Sequence, residues 1–80
     1  MQVRLRYFAA LRERVGRDGE SLELPQGASV AAVRELLAER YPPAASLLAR
    51  CAAAVNREYV PEATLTDGDE LVFIPPVGGG

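Results

Sequence analysis

One helical pattern, placed between strand patterns, constrains the fold of this chain more than any other feature. Its apolar residues recur at helical spacing: Val30, Val33, Leu36 and Leu37. Ser29 stands where an N-cap belongs and Pro42-Pro43 stops the pattern, so we predict one main helix over residues 30–41. A chain of 80 residues has room for one small domain with a single core. The strands on either side are therefore expected to form a sheet over this helix.

Two strand patterns precede the main helix. Residues 2–8 alternate between apolar and polar side chains, which is typical of a half-buried strand. Residues 20–24 indicate a second strand, which we expect to pair with the first as an antiparallel ribbon. Between them, residues 9–15 indicate a short helical turn closed by Gly16.

Three strand patterns follow the main helix. Residues 52–55 and 58–60 predict a hairpin around the corner at Asn56-Arg57. The sequence Thr66-Asp67-Gly68-Asp69 is a strong turn signal. It leads into a β-rich segment, residues 70–75, whose prolines end the last predicted strand.

This order of elements predicts an α+β fold of the β-grasp (ubiquitin-like) type, with a mixed sheet packed on one main helix. The last strand is expected beside the first and parallel to it, because the helix supplies the right-handed crossover that a parallel pair needs. We predict a single domain over residues 1–77, followed by a flexible glycine tail over residues 78–80.

An apolar patch is predicted where the first and last strands end. Phe8 breaks the alternation and points to the arginine side, and the parallel pairing puts it beside Ile74. Val72 shares that face, and Tyr59 extends it. We interpret the patch as a surface that binds a partner protein. The alternative is that the turn at Arg12-Glu13 covers Phe8 and Ile74.

The chain ends in Gly78-Gly79-Gly80, so a free carboxylate on Gly80 follows a tip without side chains. Such a tip can enter a channel too narrow for any side chain. It is the best candidate for the reactive group, because the chain has no histidine and its one cysteine, Cys51, is interpreted as a buried small hydrophobe. Pro75 and Pro76 stiffen the root of this tail. The alternative is a frayed end or a cloning remnant.

Charge and composition argue against several functions. The net charge of -2 and pI near 5.0 disfavour a nucleic-acid-binding protein. No long apolar stretch opens the chain, so we expect no signal peptide, no membrane anchor and a cytoplasmic location. Metal-ligand patterns and nucleophile-base pairs are lacking, and Asp67-Gly68-Asp69 is interpreted as a solvated turn. We expect no bound metal or cofactor and no catalysis by the chain alone.

Three segments resemble a known family. They are Phe8-Ala9-x-x-Arg12-Glu13-x-x-Gly16, Ala54-Val55-Asn56, and Leu65-Thr66-Asp67-Gly68-Asp69-Glu70-x-x-x-x-Pro75-Pro76-Val77-x-Gly79-Gly80. Together they resemble the MoaD-type small subunit of molybdopterin synthase, a ubiquitin-like sulfur carrier. The closing block is the specific part, since Gly-Gly alone is shared by all ubiquitin-like carriers.

The resemblance implies chemistry at Gly80. An ATP-dependent activating enzyme would adenylate the terminal carboxylate, and a sulfur donor would convert it to a thiocarboxylate. The large subunit of molybdopterin synthase would then use that sulfur to build the dithiolene of molybdopterin. Besides the apolar patch, Pro75, Pro76 and Val77 are expected to contact these partners.

Other functions remain open at this stage. The same carrier could serve thiazole synthesis for thiamin or tRNA thiolation. A ubiquitin-like modifier would join Gly80 to lysines of target proteins, although poly-chains through itself are impossible because the chain has no lysine. A plain binding module would not need its tail at all.

Overall fold

The computed structural model describes residues 1–76. Its elements in chain order are β1 (Gln2–Arg6), α1 (Ala9–Val15), β2 (Gly19–Glu23), α2 (Val30–Arg40), α3 (Ala45–Leu48), β3 (Ala52–Val55), β4 (Glu58–Val60) and β5 (Glu70–Ile74). A 3-10 turn, Pro42–Ala44, joins α2 to α3. Val77 and the predicted glycine tail lie outside the described residues.

The strands form one five-stranded sheet in the order β2-β1-β5-β3-β4. β1 pairs antiparallel with β2 and parallel with β5, and β3 pairs antiparallel with both β5 and β4. The predicted mixed sheet and the parallel pairing of first and last strands are therefore confirmed.

The ends of the elements follow local chemistry. The Ser29 hydroxyl accepts a hydrogen bond from the Ala32 N–H at 3.1 Å, which caps α2 as predicted. Gly16 ends α1 with a φ of 89°, and its N–H donates to the Arg12 carbonyl at 2.8 Å. Only the glycine accepts this left-handed conformation without strain.

β1 is shorter than predicted and ends at Arg6 rather than Phe8. The Phe8 carbonyl instead accepts hydrogen bonds from Leu11 and Arg12, so Phe8 is the N-cap residue of α1. Its φ of -127° and ψ of 155° are still extended, so the side-chain alternation continues past the last ladder pair. β5 also ends one residue early, at Ile74, because Pro75 has no N–H to donate.

The core lies on one face of the sheet. Its largest fully buried side chains come from the strands, the helices, the β1–α1 connection and the loop before β5: Val3, Tyr7, Leu11, Val30, Val33, Leu37, Leu48, Leu65, Leu71 and Phe73. The other face, which we call the open face, carries the alternate residues of β1 and β5, and these are exposed or half-buried.

Arg34 of α2 binds the segment between α3 and β3 through hydrogen bonds. Its guanidinium donates to the carbonyls of Leu48 and Cys51, the latter at 2.9 Å, and lies 4.8 Å from the centroid of the Phe73 ring. Cys51 is 6% exposed, as predicted for a small hydrophobe. Burial raises the pKa of its thiol, although Arg34 and Arg50 act in the opposite direction.

Candidate docking surface and the root of the tail

The structure brings four of the predicted partner-binding residues into one groove on the open face. These four residues line it: Phe8, Tyr59, Val72 and Ile74. The groove has a volume of about 370 Å³. Phe8 is 43% exposed and Tyr59 is 72% exposed. The alternative that a turn at Arg12-Glu13 buries Phe8 is therefore wrong.

Strand register explains how residues distant in sequence meet here. Arg6 of β1 is paired with Val72 of β5, Val72 with Ala54 of β3, and Ala54 with Tyr59 of β4. One row of side chains thus crosses four strands on the open face. Phe8 follows Arg6 by two residues, and the Arg6 guanidinium lies 5.2 Å from the centroid of its ring.

Four further residues line the groove and were not among the predicted site residues: Arg6, Ala54, Arg57 and Glu70. Alternation along β1 and β5 could have found Arg6 and Glu70, since they share the parity of Phe8 and Ile74. Arg57 gave no such signal. It sits in the β3–β4 turn with a φ of 72°, and only the register of that hairpin brings it to the groove.

A carboxylate beneath the open face holds the end of β1 in place. Glu20 of β2 accepts a hydrogen bond from the Tyr7 hydroxyl at 2.7 Å and one from the Tyr41 hydroxyl at 2.6 Å. Arg17 and Arg40 approach its other oxygen at 3.3 and 3.6 Å. We call these five residues the Glu20 cluster. It joins β1, β2 and the end of α2 directly before Phe8.

The Glu20 cluster shifts the acidity of its members. Burial by itself would raise the pKa of Glu20, but the hydrogen bonds from Tyr41 and Tyr7 outweigh it, so the pKa lies below its ordinary value of 4.5. Burial and the Glu20 charge raise the pKa of both tyrosines. At neutral pH the carboxylate is therefore ionised and both phenols are neutral, as the hydrogen bonds require.

A second polar joint connects the β3–β4 turn to the start of β5. The Asn56 side chain donates to Asp69 at 2.9 Å and accepts from the Glu70 N–H at 2.9 Å. Asp69 also accepts from the Thr66 N–H at 2.8 Å, which together with Asn56 lowers the pKa of Asp69. Asp67 accepts from the Gln2 N–H at 2.7 Å. The turn that the sequence indicated as solvated is thus also bonded to β1 and to the hairpin.

The root of the tail lies at one end of the groove. Ile74, the last residue of β5, lines the groove and is half-buried, as is Pro75, whereas Pro76 is exposed. The predictions for Val77, Gly78, Gly79 and Gly80 fall outside the described residues.

Within residues 1–76, no helix is both long and apolar enough to cross a membrane. In the same range, no group of three or more His, Cys, Asp or Glu side chains is placed to hold a metal ion.

A five-stranded mixed sheet of this order, folded around one main helix, defines the class of the protein: it is a ubiquitin-like β-grasp protein. The sequence matches the ThiS family over residues 5–80. The chain therefore belongs to the ThiS family, and the resemblance of its motifs to the MoaD-type sulfur carriers is confirmed.

Curated relatives match over the whole length. The molybdopterin synthase sulfur carrier subunit of Chlamydomonas reinhardtii is 36% identical, with 100% of both chains covered. The protein of the same name from Mycobacterium tuberculosis is 37% identical, with 100% of this chain and 99% of the relative covered.

Solved structures agree with the fold. A Pyrococcus furiosus protein, provisionally assigned as subunit 1 of molybdopterin converting factor, aligns with a TM-score of 0.83 and 33% identity over 96% of this chain and 99% of its own. The small archaeal modifier protein 1 of Methanosarcina acetivorans aligns with a TM-score of 0.84 and 26% identity over 99% of this chain and 96% of its own.

Proposed function

We propose that this protein is the sulfur carrier subunit of a molybdopterin synthase. One observation carries the proposal: relatives with that name match the chain from end to end at 36 and 37% identity. The sulfur would travel on the terminal carboxyl group of Gly80, and the protein would donate it without being the catalytic subunit.

The proposed chemistry begins with activation, because a carboxylate is a poor electrophile. An oxygen of the Gly80 carboxylate attacks the α-phosphate of ATP in an activating enzyme, and pyrophosphate leaves. A sulfur donor at the sulfide level then attacks the acyl carbon, and AMP leaves. The resulting thiocarboxylate gives its sulfur to the molybdopterin precursor in the large subunit, and water restores the carboxylate.

The tail sequence suits a reaction inside another protein. Fully extended, six residues from Pro75 to Gly80 span up to about 20 Å. Three terminal glycines offer no side chain to obstruct a narrow channel. Ordering each of them on binding costs about 1–2 kcal/mol, so the affinity must come from another surface.

The groove on the open face is our candidate for that surface. Its aromatic rim is formed by Phe8 and Tyr59, and Val72 and Ile74 lie between them. Aromatic side chains at the centre of an interface commonly contribute most of the binding energy. The groove ends at the root of the tail, so a partner bound there would stand where the tail begins.

A mass measurement tests the proposal. Protein purified from its native host is expected to contain a fraction in which one oxygen of Gly80 is exchanged for sulfur. Fragmentation must locate the exchange in the last residue. A chain that is always unmodified, in cells that make molybdopterin, would contradict the proposal.

Reconstitution separates molybdopterin synthesis from other sulfur pathways. The thiocarboxylated protein and the large subunit of the same organism are expected to convert the precursor, whereas a variant lacking Gly79-Gly80 is not. Thiocarboxylate without conversion would point to thiazole synthesis or tRNA thiolation instead.

A second candidate is a ubiquitin-like protein modifier, favoured by the similarity to the archaeal modifier protein. It predicts isopeptide bonds between Gly80 and lysines of other proteins. An affinity-tagged chain recovered from its host should then carry covalent adducts, and their absence would remove this candidate.

A further inference from the structure

The groove on the open face has an arginine on each side of an apolar floor. Arg6 belongs to β1 and Arg57 to the β3–β4 turn, while Ala54 and Val72 lie between them. Because β1 and β3 flank β5, their axes are two strand spacings apart, or about 10 Å. The apolar floor therefore lies between the strand that carries Arg6 and the hairpin that carries Arg57.

Neither arginine pairs with a carboxylate of its own chain in the part that the structure describes. The ion pairs found there involve Arg12, Arg17, Arg40 and the N-terminus. Glu70 is the only acidic residue among those that line the groove with Arg6 and Arg57. The groove thus has a net positive lining in a chain whose net charge is -2.

A second groove lies beside the first along β1. It is lined by Arg4 and Ser21, among others, and it shares both Arg6 and Glu70 with the first. The acidic groups that also line it are already engaged: Glu20 in its cluster and Asp18 with Arg12 at 3.8 Å. Glu70 is thus the one carboxylate that both grooves share, and it offsets the charge of one arginine.

We propose that the groove selects a partner surface on which an apolar side chain is flanked by carboxylates, one directed to Arg6 and the other to Arg57. A purely apolar partner would desolvate both guanidinium groups without replacing their water, which is costly. Carboxylates restore those hydrogen bonds, and their attraction speeds association. The inference rests on the proposed function, since it specifies the partner that docks on the open face.

Charge reversal tests the inference with the molybdopterin synthase large subunit of the same organism as the probe. Calorimetric titration compares the unaltered chain with Arg6→Glu, Arg57→Glu and the control Arg14→Glu, an exposed residue that lines neither groove. Each groove variant is expected to bind about tenfold more weakly at low salt, since it replaces an attractive pair by a repulsive one. Arg14→Glu should bind like the unaltered chain.

Salt dependence and a conservative variant exclude a merely structural effect. Raising the ionic strength from about 0.05 to about 0.5 M should weaken the binding of the unaltered chain to the large subunit several-fold. The binding of the two groove variants should weaken much less. Arg6→Lys keeps the charge and should retain most of the affinity. Urea unfolding of every variant verifies that the fold is intact, and if Arg6→Glu does not fold, Arg57→Glu and the salt series decide.

The possible failures are distinguishable. If the unaltered chain binds and Phe8→Ala abolishes binding, but both reversals and added salt have no effect, the inference is wrong and the proposed function stands. If the unaltered chain does not bind the large subunit at any ionic strength, the proposed function is wrong and the inference falls with it.

Discussion

Replacement of Glu20 by alanine should remove a large part of the stability of this protein. The Tyr7 hydroxyl donates to Glu20 at 2.7 Å from a side chain that is 1% exposed. A hydrogen bond to a charged group contributes about 1.5–3 kcal/mol, so this bond is expected to contribute about 2 kcal/mol. Tyr41 is only half-buried and water can replace its partner, so its bond contributes about 1 kcal/mol.

The two arginine contacts of Glu20 add little, because both guanidinium groups are about half exposed. The expected loss for Glu20→Ala is therefore about 3 kcal/mol, out of the ~4–12 kcal/mol typical of 80 residues. Urea unfolding followed by far-ultraviolet circular dichroism measures it, since the chain has no tryptophan. Glu20→Gln, which keeps an acceptor, should lose about half as much.

The matched control is Glu39→Ala on the exposed side of α2, which should change the free energy of unfolding by less than about 0.5 kcal/mol. The reasoning is refuted if Glu20→Ala costs less than about 1 kcal/mol, or if it costs no more than the control. Either result would mean that the buried Tyr7 hydroxyl finds another partner, so that the carboxylate is not what holds the end of β1.

Four further outcomes follow from the contacts described above. Because the folded pKa of Glu20 lies below its ordinary 4.5, its contribution is complete above pH 4.5 and is lost as the pH falls through the folded value, so Glu20→Gln should flatten the acid limb of a stability-pH profile. The raised pKa of Tyr7 gives a pH dependence of the opposite sign. The contribution of Tyr7 to stability is complete below pH 10.0 and falls above it, and Tyr7→Phe should reduce that fall. Gly19→Ala should cost about 1–3 kcal/mol in urea unfolding, since its Cβ would collide with the carbonyl of Leu5; a cost no greater than that of Ser21→Ala would contradict this. Asn56→Ala should cost about 2 kcal/mol and Asn56→Gly about half of that, because both lose the polar joint but glycine accepts the φ of 50° freely; equal costs would show that backbone strain is unimportant there.

Local patterns were enough to predict the elements and their order. The hairpin of β3 and β4 was the hardest element to predict, since three of the four residues of β3 are alanines, which favour helix. The corner at Asn56-Arg57 nevertheless indicated the turn, and both residues do have positive φ. Here the turn residues were more informative than the intrinsic propensities of the strand residues.

Such local patterns could not predict the contacts between elements that are distant in sequence. Glu20 meets Tyr7 and Tyr41 across 13 and 21 residues, and neither separation corresponds to a helical or strand period. The sequence pattern predicts the end of β1 two residues too late for a related reason. Phe8 keeps extended angles while its carbonyl already serves α1, and alternation alone cannot distinguish a strand residue from a helix cap that continues it.

The neighbouring residues Tyr7 and Phe8 differ in role: Tyr7 stabilises the fold, and Phe8 is the residue that we propose for docking. Tyr7 points into the core and donates a hydrogen bond to Glu20, whereas the Phe8 ring points to the open face, where the Arg6 guanidinium lies 5.2 Å from its centroid. Because extended backbone sends successive side chains to opposite faces, fixing Tyr7 also fixes the direction of Phe8 without covering it. A surface aromatic held in this way loses little further freedom when a partner binds, so more of its contact energy remains for affinity. The Glu20 cluster thus orients the Phe8 side chain in the groove, although the cluster itself lies on the opposite side of the sheet.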